Sequence, residues 1–142
     1  MKYIFMDTNV VIDFLADRQP FSLYAARLFD FVITEKVKIY ISAVSYNNIY
    51  YILRQSLVNK TTIKLLAELA EMTEIVDVTK SVIKQSLTSD FNDYEDAIQY
   101  YSAISMPQID FIVTRNTKDF KKSALPVLTP EEATALVDND IM

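Results

Sequence analysis

Acidic and amide side chains stand at three points where apolar runs give way to polar ones. These are Asp7 in MDTNVV, Asp93 and Asp96 in FNDYEDAIQYY, and Asn116 and Asp119 in VTRNTKDF. On a helix, Asp93 and Asp96 stand one turn apart, roughly 60° from each other. They lie off the apolar arc of Tyr94, Ala97, Ile98, Tyr101 and Ile104, and Glu95 is expected to point elsewhere. Carboxylates brought together repel, and a divalent cation relieves that repulsion. Histidine and cysteine are absent, so an all-oxygen site favours Mg²⁺ or Mn²⁺ over zinc. Phosphodiester hydrolysis is the chemistry such a site serves best, the cation activating water and stabilising the displaced oxygens.

The same absences exclude other chemistry. Without histidine or cysteine there is no Ser-His-Asp triad, no Cys-His pair, no HExxH zinc site and no disulfide framework. Without glycine there is no Walker loop and no GxGxxG fingerprint. The net charge of −5 argues against a globally basic nucleic-acid binder but leaves room for local basic patches. One such patch is Arg115, Lys118, Lys121 and Lys122, which would neutralise a phosphate backbone beside an acidic site or else form a solvated loop face. No apolar run approaches the roughly 18 residues that span a bilayer. Asp7 and Asp13 interrupt the apolar N-terminal stretch, against a signal peptide. The expectation is a cytoplasmic protein.

The elements that must position these residues follow from periodicity. Strands are expected at Lys2–Met6, Val37–Ser42, Glu74–Val78, Ile109–Thr114 and Pro126–Leu128. Helices are expected around Val10–Leu15, at Phe21–Thr34 (apolar at Leu23, Ala26, Leu28 and Phe31), Ser42–Leu57, Thr62–Met72, from a Thr79 cap to Leu87, and at Asp93–Ile104. Thr129-Pro130-Glu131-Glu132 has the form of a capping box that opens a last helix. Strands alternating with helices imply a single α/β domain over 1–142, with a central parallel sheet of about five short strands flanked by helices on both faces. Ser42–Leu57 is apolar around much of its circumference, which suggests burial and a homodimer. Tyr46, Tyr50, Tyr51, Tyr100 and Tyr101 are expected as core or subunit contacts rather than as base-stacking platforms.

In such a sheet the crevice lies beyond the carboxyl ends of the strands. Asp7 follows the first strand there, Ser42, Ser45, Asn47 and Asn48 follow the second, and Thr114, Arg115, Asn116 and Asp119 follow the fourth. Each residue alone has an ordinary structural reading: Asp7 and Asp93 as helix caps, Asp96 as a solvated side chain, Asn116 and Asp119 as turn formers. Their combination at one sheet edge is what points to a site.

MDTNVVIDFL, DYEDAIQYYSA and IVTRNTKDF, in that order and at suitable spacing over essentially the whole chain, resemble the PIN domain. Within it they look most like the bacterial VapC-type toxins. The resemblance implies a parallel sheet sandwiched by helices, an Mg²⁺- or Mn²⁺-dependent endoribonuclease, a homodimer, and a cognate antitoxin that blocks the site. Carried over, the first acidic position falls on Asp7, the acidic residue of the Asp-Ala pair on Asp96, and the last acidic or amide cluster on Asn116 and Asp119, with Thr114 beside them. One position departs from the pattern. Where the family usually carries a glutamate in the helix after strand two, this chain has Asn48, with Asn47 as neighbour. An asparagine offers a carbonyl oxygen but no charge, and Asp93 is placed to compensate in part.

On this reading Asp7, Asp96 and Asp119 bind the cation, Asn116 and Asn48 assist, Thr8 and Thr114 support, and Asp93 orients the attacking water. Two rivals are distinguishable. A PIN fold with a degraded site, suggested by Asn48, would bind RNA or a protein partner without cutting. A phosphatase using Asp7 as nucleophile would form an aspartyl-phosphate, but Asn9 occupies the place of the second carboxylate such enzymes normally have two residues on.

Overall fold

Five short apolar runs become strands: β1 (Lys2–Met6), β2 (Val37–Ser42), β3 (Glu74–Val76), β4 (Phe111–Val113) and β5 (Val127–Leu128). The computed structural model describes residues 1–139 and joins these strands, all parallel, in the order β3-β2-β1-β4-β5. Between them run α1 (Thr8–Leu15), α2 (Ser22–Ile33), α3 (Ala43–Leu53), α4 (Asn59–Met72), α5 (Lys80–Leu87) and α6 (Tyr94–Ile104), and α7 (Pro130–Asn139) follows β5.

Side chains alternate across the sheet as the two-residue period requires. Ile4, Met6, Ile39, Ile41 and Val113 pack one face against Val10, Val11, Leu28, Phe29 and Ile49. Phe5, Tyr40 and Ile112 pack the other against Tyr100, Ala103 and Phe120. Because both faces are buried at the centre of the sheet, Ile4–Met6 and Phe111–Val113 are continuously apolar rather than alternating. The expected helix–sheet–helix architecture holds. β1 lies between β2 and β4, so the chain leaves β1 toward one edge and later returns on its other side. That arrangement opens a crevice beyond the carboxyl ends of β1 and β4.

Local differences from the sequence reading have physical causes. β3 ends at Val76 and β4 starts at Phe111, since only those residues have ladder partners. α2 buries Leu28 and Phe31 as expected, with Ala25 and Phe29 beside them, while Leu23 is 67% exposed. α3 stops at Leu53, and Tyr51 and Ile52 are exposed rather than buried. Ser42 lies outside this helix as its N-cap, accepting from the Val44 N–H at 3.3 Å. Among the tyrosines Tyr100 is a core residue, Tyr46, Tyr50 and Tyr101 are half-buried, and Tyr51 is 70% exposed. The capping box forms as expected, with Thr129 N–H donating to Glu132 Oε1 at 2.9 Å and Glu132 N–H to Thr129 Oγ1 at 3.1 Å. Two turns adopt left-handed backbone without glycine, at Asp17 (φ 48°) and Glu35 (φ 61°). Among the described residues, no helix is long and apolar enough to cross a membrane.

Candidate active site

Asp7 closes β1, and its surroundings follow from that place. Its N–H donates to the Val113 carbonyl at 2.9 Å, continuing the β1–β4 ladder one step past the Met6–Val113 pair. The chain then turns into α1 with Asp7 as N-cap. Oδ1 accepts from the Thr8 N–H at 2.9 Å, and Oδ2 accepts from Thr114 Oγ1 at 2.8 Å. Asp7 is only 5% exposed. Burial pushes its carboxyl above the ordinary range, against the hydrogen bonds from Thr114 and Thr8; Asp119 pushes it further up and Arg115 pulls it down. The cap and the candidate ligand are one and the same geometry. With both oxygens engaged in a buried setting, Asp7 is poorly disposed to attack phosphorus, which weighs against the phosphatase alternative.

The second contribution comes from the start of α6. Asp93 is its N-cap, and Oδ1 accepts from the Asp96 N–H at 3.0 Å. That bond fixes the first helical turn, which brings Asp93, Glu95 and Asp96 to the crevice. Two clefts meet at Asp93 and Asp96. One, of about 430 Å³, is walled by Asp7, Thr8 and Asn48 with Glu95, Tyr51 and Ile52. The other, of about 630 Å³, is walled by Asp119 with Lys118, Lys121, Lys122 and Phe91. Burial and then the charges of Asp93, Asp7, Asp119 and Glu95 raise the Asp96 carboxyl to about 7. Glu95 is raised as well, by burial and by Asp93 and Asp7. An Asp96 carboxyl that holds its proton near neutrality is short of positive charge.

The chain and its fold have parallels among known proteins. Residues 3–118 match the PIN domain family. The chain belongs to the PIN domain family. Asp119 lies one residue beyond the matched segment. Ribonuclease VapC1 of Aquifex aeolicus is 23% identical over 134 residues, covering 91% of each chain. The fold is shared with a DNA-bound VapBC from Salmonella typhimurium (TM-score 0.68, 16% identity, 92% of this chain and 99% of that one). It is shared as well with a toxin–antitoxin complex from Klebsiella pneumoniae (TM-score 0.65, 22% identity, 89% and 97%).

The oxygen donors of this PIN domain fit a hydrated divalent cation. Among the described residues, no three acidic side chains form a ready-made cage. Mg²⁺ does not need one: it keeps several waters and takes one or two carboxylates. Asp7, Asp96, Asp93 and Asp119, all expected from the sequence, surround the two clefts, with Thr8, Asn48 and Thr114 at or behind their walls.

Two expected residues are placed differently. The Arg115 guanidinium is committed to Asp13, with Nε donating to Oδ2 at 2.7 Å and Nη2 to Oδ1 at 3.3 Å, and it lies over the Phe21 ring at 4.0 Å. It is an internal counter-ion rather than an arm reaching for RNA. Asn116 borders a separate recess with Phe21, Tyr24 and Arg115, while its N–H donates to Thr114 Oγ1 at 3.1 Å. The loop that follows is a 3₁₀ turn, Thr117–Phe120, anchored by the buried Phe120.

Other residues escaped the sequence reading. Glu95, expected to point elsewhere, lines the acidic cleft and accepts a hydrogen bond from Asn48 Nδ2. Asp13, 1% exposed, also takes Arg18 Nε at 2.9 Å, tying α1 to the turn after it and to the β4 loop. Gln99 Nε2 donates to Thr8 Oγ1 at 3.3 Å and Ser45 Oγ at 3.0 Å, and those two hydroxyls are 2.7 Å apart. This buried knot pins α1, α3 and α6 beneath Asp7. Its signal in the sequence was Gln99 itself, a polar residue within the apolar AIQYY.

Proposed function

We propose that this PIN domain is an Mg²⁺- or Mn²⁺-dependent endoribonuclease that serves as the toxin of a cytoplasmic toxin–antitoxin pair. The observation that carries the reading is the crowd of carboxylates at the switch point of a parallel sheet, with Asp96 raised to about 7 by burial and by its acidic neighbours. The cation, when bound, supplies Lewis acidity toward the phosphate and an activated water. Asp7 and Asp96 would hold it directly or through water, with Asp119 as a further acidic partner. Thr114 and the Thr8 N–H fix the Asp7 carboxylate, so its oxygens are in place before substrate arrives. Asp93 gives Oδ1 to the α6 cap and keeps Oδ2 to orient water. Lys118, Lys121 and Lys122 take backbone phosphates along the basic wall of the second cleft. The exposed apolar side chains, Leu23, Ile33, Val58 and Leu87 among them, fit a homodimer and a cognate antitoxin as covering partners.

The test incubates purified protein with RNA and Mg²⁺ or Mn²⁺. Cleavage is expected to require the cation and to fall at least about 100-fold in Asp7→Ala and in Asp96→Asn. If Asp96→Asn cleaves as wild type does, the site assignment is wrong. Binding of RNA with no cation-dependent cleavage would favour the degraded-site alternative.

A further inference from the structure

Asn48 brings an amide rather than a charge to the α3 wall of the acidic cleft. Its Nδ2 donates to Glu95 Oε1, on the first turn of α6. That bond holds Glu95 in the same cleft as Asp7, Asp93 and Asp96, where like charges repel it. A glutamate in the first turn of a helix gains from the helix dipole whichever way its side chain lies, so the dipole does not explain this orientation. Nor does a cation of the protein: among the described residues, no lysine or arginine forms an ion pair with Glu95. A free glutamate would rotate into solvent. This one is tethered, from the opposite helix, among three aspartates.

We propose that Glu95, delivered by α6, is a further acid of the cation site that would hold the hydrated ion through its waters, and that Asn48 is the positioning residue that aims it. The charge that α3 does not carry is thereby supplied from across the cleft, by a residue whose neighbour Asp96 serves the same site. The proposal rests on the reading of the acidic cleft as the cation site of a ribonuclease. It removes the main reason for regarding that site as degraded, because exchanging Glu for Asn on one helix is answered by an acid on another. Asn48 and Glu95 then act as a pair, and neither substitution is neutral while its partner stands.

Calorimetric titration of Mn²⁺ into RNA-free protein, with electron paramagnetic resonance of unbound Mn²⁺ as a second readout, tests this without reference to activity. The proteins compared are wild type, Glu95→Gln, Asn48→Ala, the exchange Asn48→Glu with Glu95→Gln, and Asp96→Asn, with circular dichroism confirming the fold of each. Glu95→Gln is expected to weaken Mn²⁺ binding at least about tenfold. Asn48→Ala weakens it less, since Glu95 keeps its charge and loses its guide, and the exchange variant recovers most of the loss. Wild-type affinity in Glu95→Gln, together with lost binding in Asp96→Asn, overturns the role of Glu95 and leaves the cleft reading intact. An exchange variant as weak as Glu95→Gln alone overturns the substitution of one helix for the other. A wild type that binds no Mn²⁺, or an Asp96→Asn that binds it unchanged, overturns the cleft reading and this proposal with it.

Discussion

Asp96 keeps its proton up to about 7, against an ordinary value of 3.8, because it is partly buried and faces Asp93, Asp7, Asp119 and Glu95. The folded state therefore binds more protons than the unfolded chain between those two values. This contribution to stability is fully present below the lower value and is lost as pH rises through the upper one. Metal-free protein in EDTA is expected to lose melting temperature from about pH 4 to about pH 7. Asp96→Asn should flatten that fall, and saturating Mn²⁺ should shrink it in wild type. A melting temperature as pH-dependent in Asp96→Asn as in wild type would contradict the crowding argument. The positions of Asp7 and Asp96 were legible in the sequence because they stand at the end of β1 and in the first turn of α6, and that of Asp119 because it follows β4. Glu95 was not, for a physical reason. A helical wheel treats side chains as radial, whereas helical side chains tilt toward the N-terminus. In the first turn, a side chain as long as glutamate reaches past the helix end and across the cleft.

Elements were legible where their signals are local. The Thr129–Glu132 box and the strands needed only neighbouring residues. The buried face of α2 was legible at Leu28 and Phe31 but not elsewhere, because SLYAARLFDFVI is apolar on two overlapping arcs and only the packed sheet selects Ala25 and Phe29 over Leu23. Asp13 was invisible as a structural centre, since its partner Arg115 lies 102 residues away. It joins α1, the turn at Arg18 and the loop after β4, the same loop that carries Thr114 to Asp7. Both arginines are partly exposed, so loss of the carboxylate leaves charges that water can reach, and the cost is smaller than for a fully buried pair. Asp13→Ala is expected to lower unfolding free energy by roughly 2 kcal/mol, as for charge-assisted hydrogen bonds, which urea denaturation would measure. It should also release Arg115, whose charge pulls Asp7 down.

At the scale of the whole molecule, a chain of net charge −5 repels RNA except where its cations are concentrated. Lys118, Lys121 and Lys122 line one side of the second cleft, and on the proposed reading they are expected to set both the direction of approach and its salt dependence. Three phosphate contacts correspond to a slope of about −2 in log K against log salt for a single strand. Fluorescence anisotropy with the uncleaving Asp7→Ala protein should give that slope, and alanine at all three lysines should remove most of it. An unchanged slope would place the RNA elsewhere. The turns at Asp17 and Glu35 carry a consequence of another kind. A chain that makes left-handed turns without a single glycine accepts strain in the native fold. Its denatured ensemble is correspondingly narrow, since every position lacks the extra freedom glycine would bring. Folding then surrenders less disorder along the whole length of the chain. That reserve is spread far from the crevice, where like charges are held together at the expense of stability.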